Sequence, residues 1–331
     1  EKKLSIYSGA KNVLSVINGT SGLHLALKAL NIKQNEEVLV QSLTYVSTIN
    51  SIIYNNGTPH FVDINQNTLS VDEIKLDQYL NRATFQKNNQ CFNKKSNKII
   101  RYLLLVYING LCPNIKKLKI VLNKYNIKLV EDAAESLGCF YNNKHLGLFG
   151  EVGVLSFNGN KIITTGGGGA VFFKDKKKFN LAINLARNCK KKINQDIEYT
   201  DVGFNYRMPS INAALGISQL KKLNKFIKNK KKIYLFYDSI FKNYEQIKLL
   251  KPLKNLKSNY WLNNIQIKDI NINEKRKILK TFLKSNIHVR PVWKPIHLMK
   301  RFKKFPKMDM TQSEKAYVET FSLPSSEFLW R

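Results

Sequence analysis

Acidic residues are scarce in this chain: 23 Asp and Glu stand against 55 Lys and Arg in 331 residues, a formal net charge of +32. Such an excess ordinarily points to nucleic acid or to an anionic membrane surface. Its distribution argues otherwise, because the lysines are scattered among Asn and Ile and no recognisable nucleic-acid-binding motif accompanies them. The densest basic runs, Lys174 to Lys178 and Lys228 to Lys232, are expected at exposed helix starts or linkers. No specific nucleic-acid partner is therefore expected, although the field favours salt-sensitive nonspecific binding and attraction of small anions. Cysteine is scarce as well. Cys91, Cys112, Cys139 and Cys189 are widely spaced and form no C-x-x-C pair, so neither a disulfide framework nor a metal site is indicated. Cys139 and Cys189 read as small apolar fillers. No run reaches the roughly 18 uninterrupted apolar residues that a membrane span needs, and no apolar segment opens the chain as a signal peptide would. No membrane partner and a cytoplasmic location are the expectation.

What is present suits a large core. Apolar residues make up 43% of the chain, and the length fits one large α/β domain with a smaller appendage. Asn12 to Ile17 is short and β-branched, and Asn18-Gly19-Thr20-Ser21 then leads into a 3.6-residue apolar period through Leu23, Ala26, Leu27 and Leu30. That order reads strand, turn, helix. Val38 to Gln41 repeats it, with a helix through Val46, Ile49, Ile52 and Ile53. His60 to Ile64, Arg101 to Ile108, Lys128 to Glu131 and Val152 to Phe157 read as further strands, with a helix from Ile115 to Tyr125. Strands alternating with helices argue for a mostly parallel sheet covered on both faces, with its site beyond the strands' C-terminal ends. After Pro209 the pattern is helical, then Lys-rich, and the division between a large domain (1–225) and a small one (226–331) is placed there. The remainder reads as a small α+β unit, with Asn259 to Ile267 as strand, Asn273 to Ser285 as helix and Val289 to Trp293 as a second strand.

Two residues carry candidate chemistry. Lys161 follows one strand and precedes Gly166-Gly167-Gly168-Gly169, while Asp132 ends the strand before it. A lysine amine can condense with an aldehyde cofactor, and a carboxylate against the ring nitrogen of that cofactor keeps it protonated. A tight hairpin with an incidental lysine would leave the same pattern, and Asp132 before two alanines could be a helix cap. Thr20 and Ser21 open a helix, where unpaired N–H groups and hydroxyls can hold a phosphate, or simply cap the helix.

Five ordered segments resolve these alternatives by resemblance. They are Asn18 to Leu27, Gln41 to Tyr45, Val130 to Gly138, Ser156 to Gly169, and Gly203-Phe204-Asn205-Tyr206-Arg207-Met208-Pro209 followed by Asn212 to Gly216. Together they resemble the DegT/DnrJ/EryC1/StrS family of nucleotide-sugar aminotransferases over nearly the whole chain. The resemblance implies the pyridoxal phosphate-dependent transferase fold of type I, with Lys161 bonding the cofactor pyridoxal 5'-phosphate and Asp132 at its ring nitrogen. It assigns the cofactor phosphate to Thr20, Ser21 and Ser156, and a ring-stacking aromatic to Tyr45. Glu135 takes a supporting role near the ring oxygen, where the family often has Gln or His. Asn205 lies in a loop that in the family reaches the neighbour's cofactor phosphate, which implies a homodimer with shared sites; Gly203 and Pro209 would equally mark an ordinary turn before a helix. Arg290, Trp293 and His297 resemble residues near the nucleotide-sugar end, although Arg290 and His297 could equally be surface or core polar groups.

Within the family, Asn158-Gly159-Asn160-Lys161 with the four glycines, and an insertion-like Cys91 to Ile100, resemble the LegC branch. Its members aminate a nucleotide-linked 4-keto-6-deoxy-N-acetylhexosamine, with L-glutamate as the expected donor. A related branch makes bacillosamine-type sugars. Sugar dehydratases of the same fold carry His at the lysine position, so Lys161 argues against that reading, and only charge supports a regulatory or nucleic-acid-binding one. Ile108-Asn109-Gly110-Leu111-Cys112-Pro113 departs from the usual Val-[Phe/Tyr]-Gly-[His/Asn]-Pro. In the family, Tyr7 to Asn12 follows a further helix and loop, so some tens of preceding residues are expected, and Leu323-Pro324-Ser325-Ser326 resembles the near-terminal motif.

Overall fold

The apolar runs assemble into one seven-stranded sheet in the computed structural model, which describes residues 1–34 and 36–329. Its strands are β1 (Asn12–Val16), β2 (Glu37–Gln41), β3 (Thr58–Val62), β4 (Ile100–Val106), β5 (Lys128–Asp132), β6 (Val152–Ser156) and β7 (Gly169–Phe173), in the order β1-β7-β6-β5-β4-β2-β3. Only β7 runs against the rest: it pairs antiparallel with β1 and β6, whereas β6-β5-β4-β2-β3 are parallel neighbours. Val38, Leu39, Val40, Leu103, Leu104, Leu105, Val130, Val154 and Leu155 are all buried, the near-continuous apolar character of strands covered on both faces.

Short polar caps set where the helices begin. In α1 (Gly19–Ala29) the cap is Asn18, whose side chain accepts from Ser21 N–H, so Thr20 and Ser21 lie inside the first turn. Helix α2 (Val46–Tyr54) begins directly after Tyr45. Asn114 caps α3 (Ile115–Lys124) and Asp175 caps α4 (Lys176–Leu185). Helix α5 (Ser210–Phe241) runs unbroken through Lys225. Beyond it, β8 (Ile247–Leu249), β9 (Asn263–Ile267), β10 (Arg290–Pro291) and β11 (Thr320–Leu323) form an antiparallel sheet in the order β8-β9-β11-β10. Helices α6 (Ile272–Lys284), closed by a capping box of Asn271 and Glu274, and α7 (Thr311–Glu319) accompany it.

Several boundaries differ from the sequence reading, each for a local reason. The strand expected from Asn259 starts only at Asn263, because Tyr260 adopts a left-handed φ of 50° and Asn259 turns its side chain back on the Trp261 N–H. The strand expected over Val289 to Trp293 is limited to Arg290–Pro291, since proline has no N–H for a ladder. Ile108 lies past the end of β4, where Asn109 (φ 54°) turns the chain. Lys230, inside a basic run expected to be exposed, is 5% exposed. The segment Cys91 to Ile100 starts in a hairpin of Thr84–Lys87 with Gln90–Asn93. It is tied to the sheet by buried Glu37, whose carboxylate accepts from Asn93, Ser96 and the His60 ring. All four cysteines are free and buried.

Candidate active site

The strand ends β5 and β6 and the loop between β6 and β7 build the site. Phe157 N–H donates to Gly168 O and Thr165 N–H to Phe157 O, so the loop carrying Lys161 is closed at its base. Helix α5 holds its far side: the Asn212 amide donates to Thr165 O at 2.6 Å and Gly167 O at 3.2 Å. Lys161 is thus presented on a braced turn rather than a free loop.

The Lys161 amine lies 3.1 Å from Glu135 Oε1 and 4.4 Å from the centre of the Trp261 ring. Glu135 Oε2 in turn accepts from Asn109 N–H at 2.8 Å. Asp132, three residues before Glu135, is 5% exposed. It accepts from the Thr48 hydroxyl at 2.8 Å and from Ala134 N–H at 3.2 Å. Burial pushes its carboxyl above the ordinary carboxylate range, the Thr48 and Ala134 bonds pull the other way, and nearby Glu135 adds to the rise. The Lys161 charge also lowers it, but among the described residues no cation is within ion-pair distance of the Asp132 carboxylate, whose direct partners are two neutral donors.

A second cluster lies at the start of α1. The Thr20 hydroxyl donates to Ser47 Oγ at 2.8 Å, and Ser47 neighbours Thr48, so the first turn of α2 joins this cluster to Asp132. Ser156 packs against Gly19 so closely that a Cβ there would lie 3.2 Å from Ser156 Oγ. Among the described residues the hydroxyls of Ser21 and Ser156 have no hydrogen-bond partner. Helix N–H groups, free hydroxyls and a glycine that leaves room suit a phosphate. The residues therefore fit pyridoxal phosphate: an amine, a buried carboxylate wanting a cation, and a phosphate cradle, linked through α2.

In front of Lys161 a cavity of about 750 Å³ opens, lined among others by Asn109, Lys161, Lys230, Trp261, His288, Arg290 and Trp293. Of the residues expected at the sugar end, Arg290 and Trp293 are on its wall. His297 is not. Its ring is buried elsewhere, within 2.7 Å of Ser42 Oγ and 2.9 Å of Glu314 Oε1, and the His297 backbone N–H donates to Ser42 Oγ, so this residue fastens the segment after β10 to the large domain. Tyr45 precedes α2 and is 58% exposed. Asn205 is exposed and bridges to Arg187 at the surface. Sequence reasoning missed Thr48, Asn109, Trp261, Asn259 and Lys230. Thr48 lies three residues after Tyr45, on the α2 turn already singled out; the departure around Asn109 was the only other sequence signal.

The profile of the DegT/DnrJ/EryC1/StrS aminotransferase family matches residues 1–330. This chain belongs to that family. As a DegT/DnrJ/EryC1/StrS protein it is a sugar aminotransferase with pyridoxal phosphate as cofactor. It is 32% identical to the GDP-perosamine synthase of Vibrio cholerae over 90% of this chain and 77% of that one. It is 30% identical to the UDP-4-amino-4,6-dideoxy-N-acetyl-beta-L-altrosamine transaminase of Campylobacter jejuni, over 98% of this chain and 83% of the relative. Among solved structures, Helicobacter pylori PseC, an aminotransferase involved in the biosynthesis of pseudoaminic acid, superposes with a TM-score of 0.87 at 26% identity, covering 99% of this chain and 85% of the other. A Brucella abortus member at 23% identity shares the fold with the same TM-score over 99% of this chain and 84% of its own. The α/β architecture expected from the strand and helix alternation is the one observed.

Proposed function

We propose that the chain moves an amino group from L-glutamate to C4 of a nucleotide-linked 4-keto-6-deoxy-N-acetylhexosamine, on the way to a legionaminic- or bacillosamine-type surface sugar. The observation that carries this reading is the Lys161 amine on the cavity wall, paired with the Glu135 carboxylate and felt by the buried Asp132 carboxylate. The cavity wall ahead of it carries the Arg290 guanidinium, a cation that suits the diphosphate of a nucleotide sugar. The N-acetylhexosamine and C4 assignments rest on the likeness to the LegC branch and to the Campylobacter transaminase.

When bound, pyridoxal phosphate supplies an aldehyde that takes up the amine and a ring that accepts the electron pair of a broken C–H bond. Thr20, Ser21 and Ser156 would hold its phosphate, Tyr45 would stack on its ring and Glu135 would support the ring oxygen. Asp132 would keep the proton on the ring nitrogen, which would give its buried carboxylate a cationic partner. Lys161, its amine free, would take the proton from the donor's α-carbon and deliver it to the aldehyde-derived carbon of the cofactor, so that the amino group stays with the cofactor. It reverses both movements once the keto sugar enters. Arg290 and Trp293 orient the sugar nucleotide.

The active unit in this reading is a cytoplasmic homodimer. Ile211, Leu215 and Ile217 leave the first turns of α5 apolar and exposed, Val202 is 79% exposed, and Asn205 lies in the same region, as a covered face would require. Incubating the protein with glutamate and a panel of UDP- and GDP-linked 4-keto sugars, with and without a 2-acetamido group, tests the substrate. The expected product is the 4-amino N-acetyl sugar, by mass and NMR. Turnover confined to sugars without the acetamido group would reject the assignment.

A further inference from the structure

Besides Glu135, the Lys161 amine meets an aromatic face that no motif marks. Trp261 is buried, and its ring centre lies 4.4 Å from Lys161 Nζ, a cation over the best of the aromatic faces. The ring cannot turn away, because its indole N–H donates to Asn160 O at 2.9 Å, on the residue preceding Lys161. Its backbone is pinned twice. The Asn259 side chain accepts from Trp261 N–H at 3.0 Å and donates to Glu135 O at 2.9 Å, so one buried amide fixes both groups that face the lysine. Gly110 (φ 73°) makes that possible, since a Cβ there would lie 2.5 Å from Asn259 Oδ1.

From the other side, Lys230 Nζ donates to Trp261 O at 3.0 Å and to Ser325 O at 2.5 Å. Burial pushes this ammonium down to about 8, with Glu327 opposing. A lysine committed to two backbone carbonyls in the wall of an active-site cavity is a tie, joining the Trp261 turn to the chain after β11.

We propose that the Trp261 ring and the Glu135 carboxylate are the seat of the Lys161 amine whenever that amine is not bonded to the cofactor, with Trp261 acting as a positioning residue. The inference rests on Lys161 being the cofactor-bonding lysine. It gives the lysine a defined place during the interval in which it must carry a proton between two carbons. A seat that stabilises the free amine also helps the incoming donor to displace it, so weakening the seat favours the bonded lysine.

Two measurements test this. In the cofactor-free protein, competitive acetylation with acetic anhydride, read by mass spectrometry, gives the labelling of Lys161 relative to exposed Lys87 in the same molecule. Trp261→Leu should raise that ratio about tenfold and Trp261→Phe, which keeps a weaker face, about threefold. In the loaded protein, the glutamate concentration that half-converts the visible absorbance should rise by similar factors. A ring that only packs would lower the thermal midpoint and leave the acetylation ratio unchanged, and that result overturns the seat. Should Trp261→Leu fail to fold, the unchanged ratio in Trp261→Phe serves the same purpose. Borohydride reduction of the loaded wild type separates the two levels: cofactor on another lysine defeats the function proposed for Lys161, whereas cofactor on Lys161 with unchanged ratios defeats the seat alone.

Discussion

Replacing Asp132 by asparagine should make the cofactor-free protein more stable and the loaded enzyme far slower. The substitution is close to isosteric, and the structure offers a partner to both the oxygen and the nitrogen of the new amide. Its oxygen keeps Ala134 N–H. Its NH2 group faces Thr48 Oγ1, which now donates to Asp132 but also lies 2.9 Å from Thr44 Oγ1, with Thr44 in reach of Tyr45 O. Rotating both hydroxyls lets Thr48 accept from one amide N–H and donate to Thr44, and Thr44 donate to Tyr45 O, so the amide oxygen, the amide nitrogen and both hydroxyls each keep a partner. Nor is Lys161 stranded, because its ion pair is with Glu135.

What remains is the removal of a buried charge whose carboxyl is raised by desolvation. An acid with a raised folded pKa costs stability above that pKa and is relieved as pH falls through it. The asparagine protein should therefore gain about 1–3 kcal/mol at neutral pH, shrinking to nothing in acid below the ordinary aspartate range. Urea unfolding of both cofactor-free proteins at pH 7.5 and pH 4 measures this. With cofactor, loss of the charge that holds the ring proton should slow the half-reaction with glutamate by at least about 10²–10³-fold, the scale for deleting one electrostatic partner of a developing charge. Stopped-flow absorbance reads that rate. Near-normal turnover would show that another group supplies the charge, and a cofactor-free variant weaker than wild type would show that the hydroxyl chain does not invert.

Three further outcomes are expected. Borohydride treatment of the loaded protein should fix the cofactor to the Lys161 peptide, and Lys161→Ala should bind cofactor without turnover; label elsewhere rejects the assignment. If Asn205 reaches the neighbouring subunit's site, co-expressed Lys161→Ala and Asn205→Asp chains should yield mixed dimers more active than either parent dimer, whereas a simple sum, with subunit exchange verified, places Asn205 within its own subunit. His145, fully buried among Tyr7, Phe140 and Phe172, accepts from Gly138 N–H while its Nδ1 has no partner, and burial pushes it from 6.5 down to about 4. Its contribution is complete above the unfolded pKa and is lost as pH falls toward the folded one, so wild type should lose about 2 kcal/mol more between pH 7.5 and 5 than His145→Leu in urea titrations. A difference under about 0.5 kcal/mol would refute the burial argument.

The legible parts of this molecule are those whose chemistry and location share one stretch of chain. Asp132 ends an apolar strand and Lys161 follows another, and in a mostly parallel sheet such ends converge without any long-range information. Thr20 and Ser21 are legible for the same reason, as the opening of a helix after a strand. Trp261 is not. Its place beside Lys161 depends on Asn259, Asn160 and Lys230 meeting in three dimensions, and a tryptophan within an expected strand looks like core. His297 fails in the opposite direction: a polar residue in a family-like segment reads as a ligand contact, yet Ser42 and Glu314 occupy both ring nitrogens.

The long helix shows why composition is a poor guide to what a segment does. At Lys225 the sequence of α5 turns from mixed apolar to Lys-rich, but the helix continues to Phe241, about 48 Å in all. The change marks a change in surroundings. Its first turns hold the Lys161 loop through Asn212 and leave Ile211, Leu215 and Ile217 uncovered. Further along, Leu223, Lys230, Ile233 and Tyr234 are buried, and Lys230 holds the backbone of Trp261, whose ring faces the same lysine. One rigid element thus grips both the turn that carries Lys161 and the ring that faces its amine. In the proposed shared-site dimer, a partner covering the exposed first turns would bear on the Lys161 loop through Asn212, which would couple dimer formation to the placing of the proposed cofactor-bonding amine.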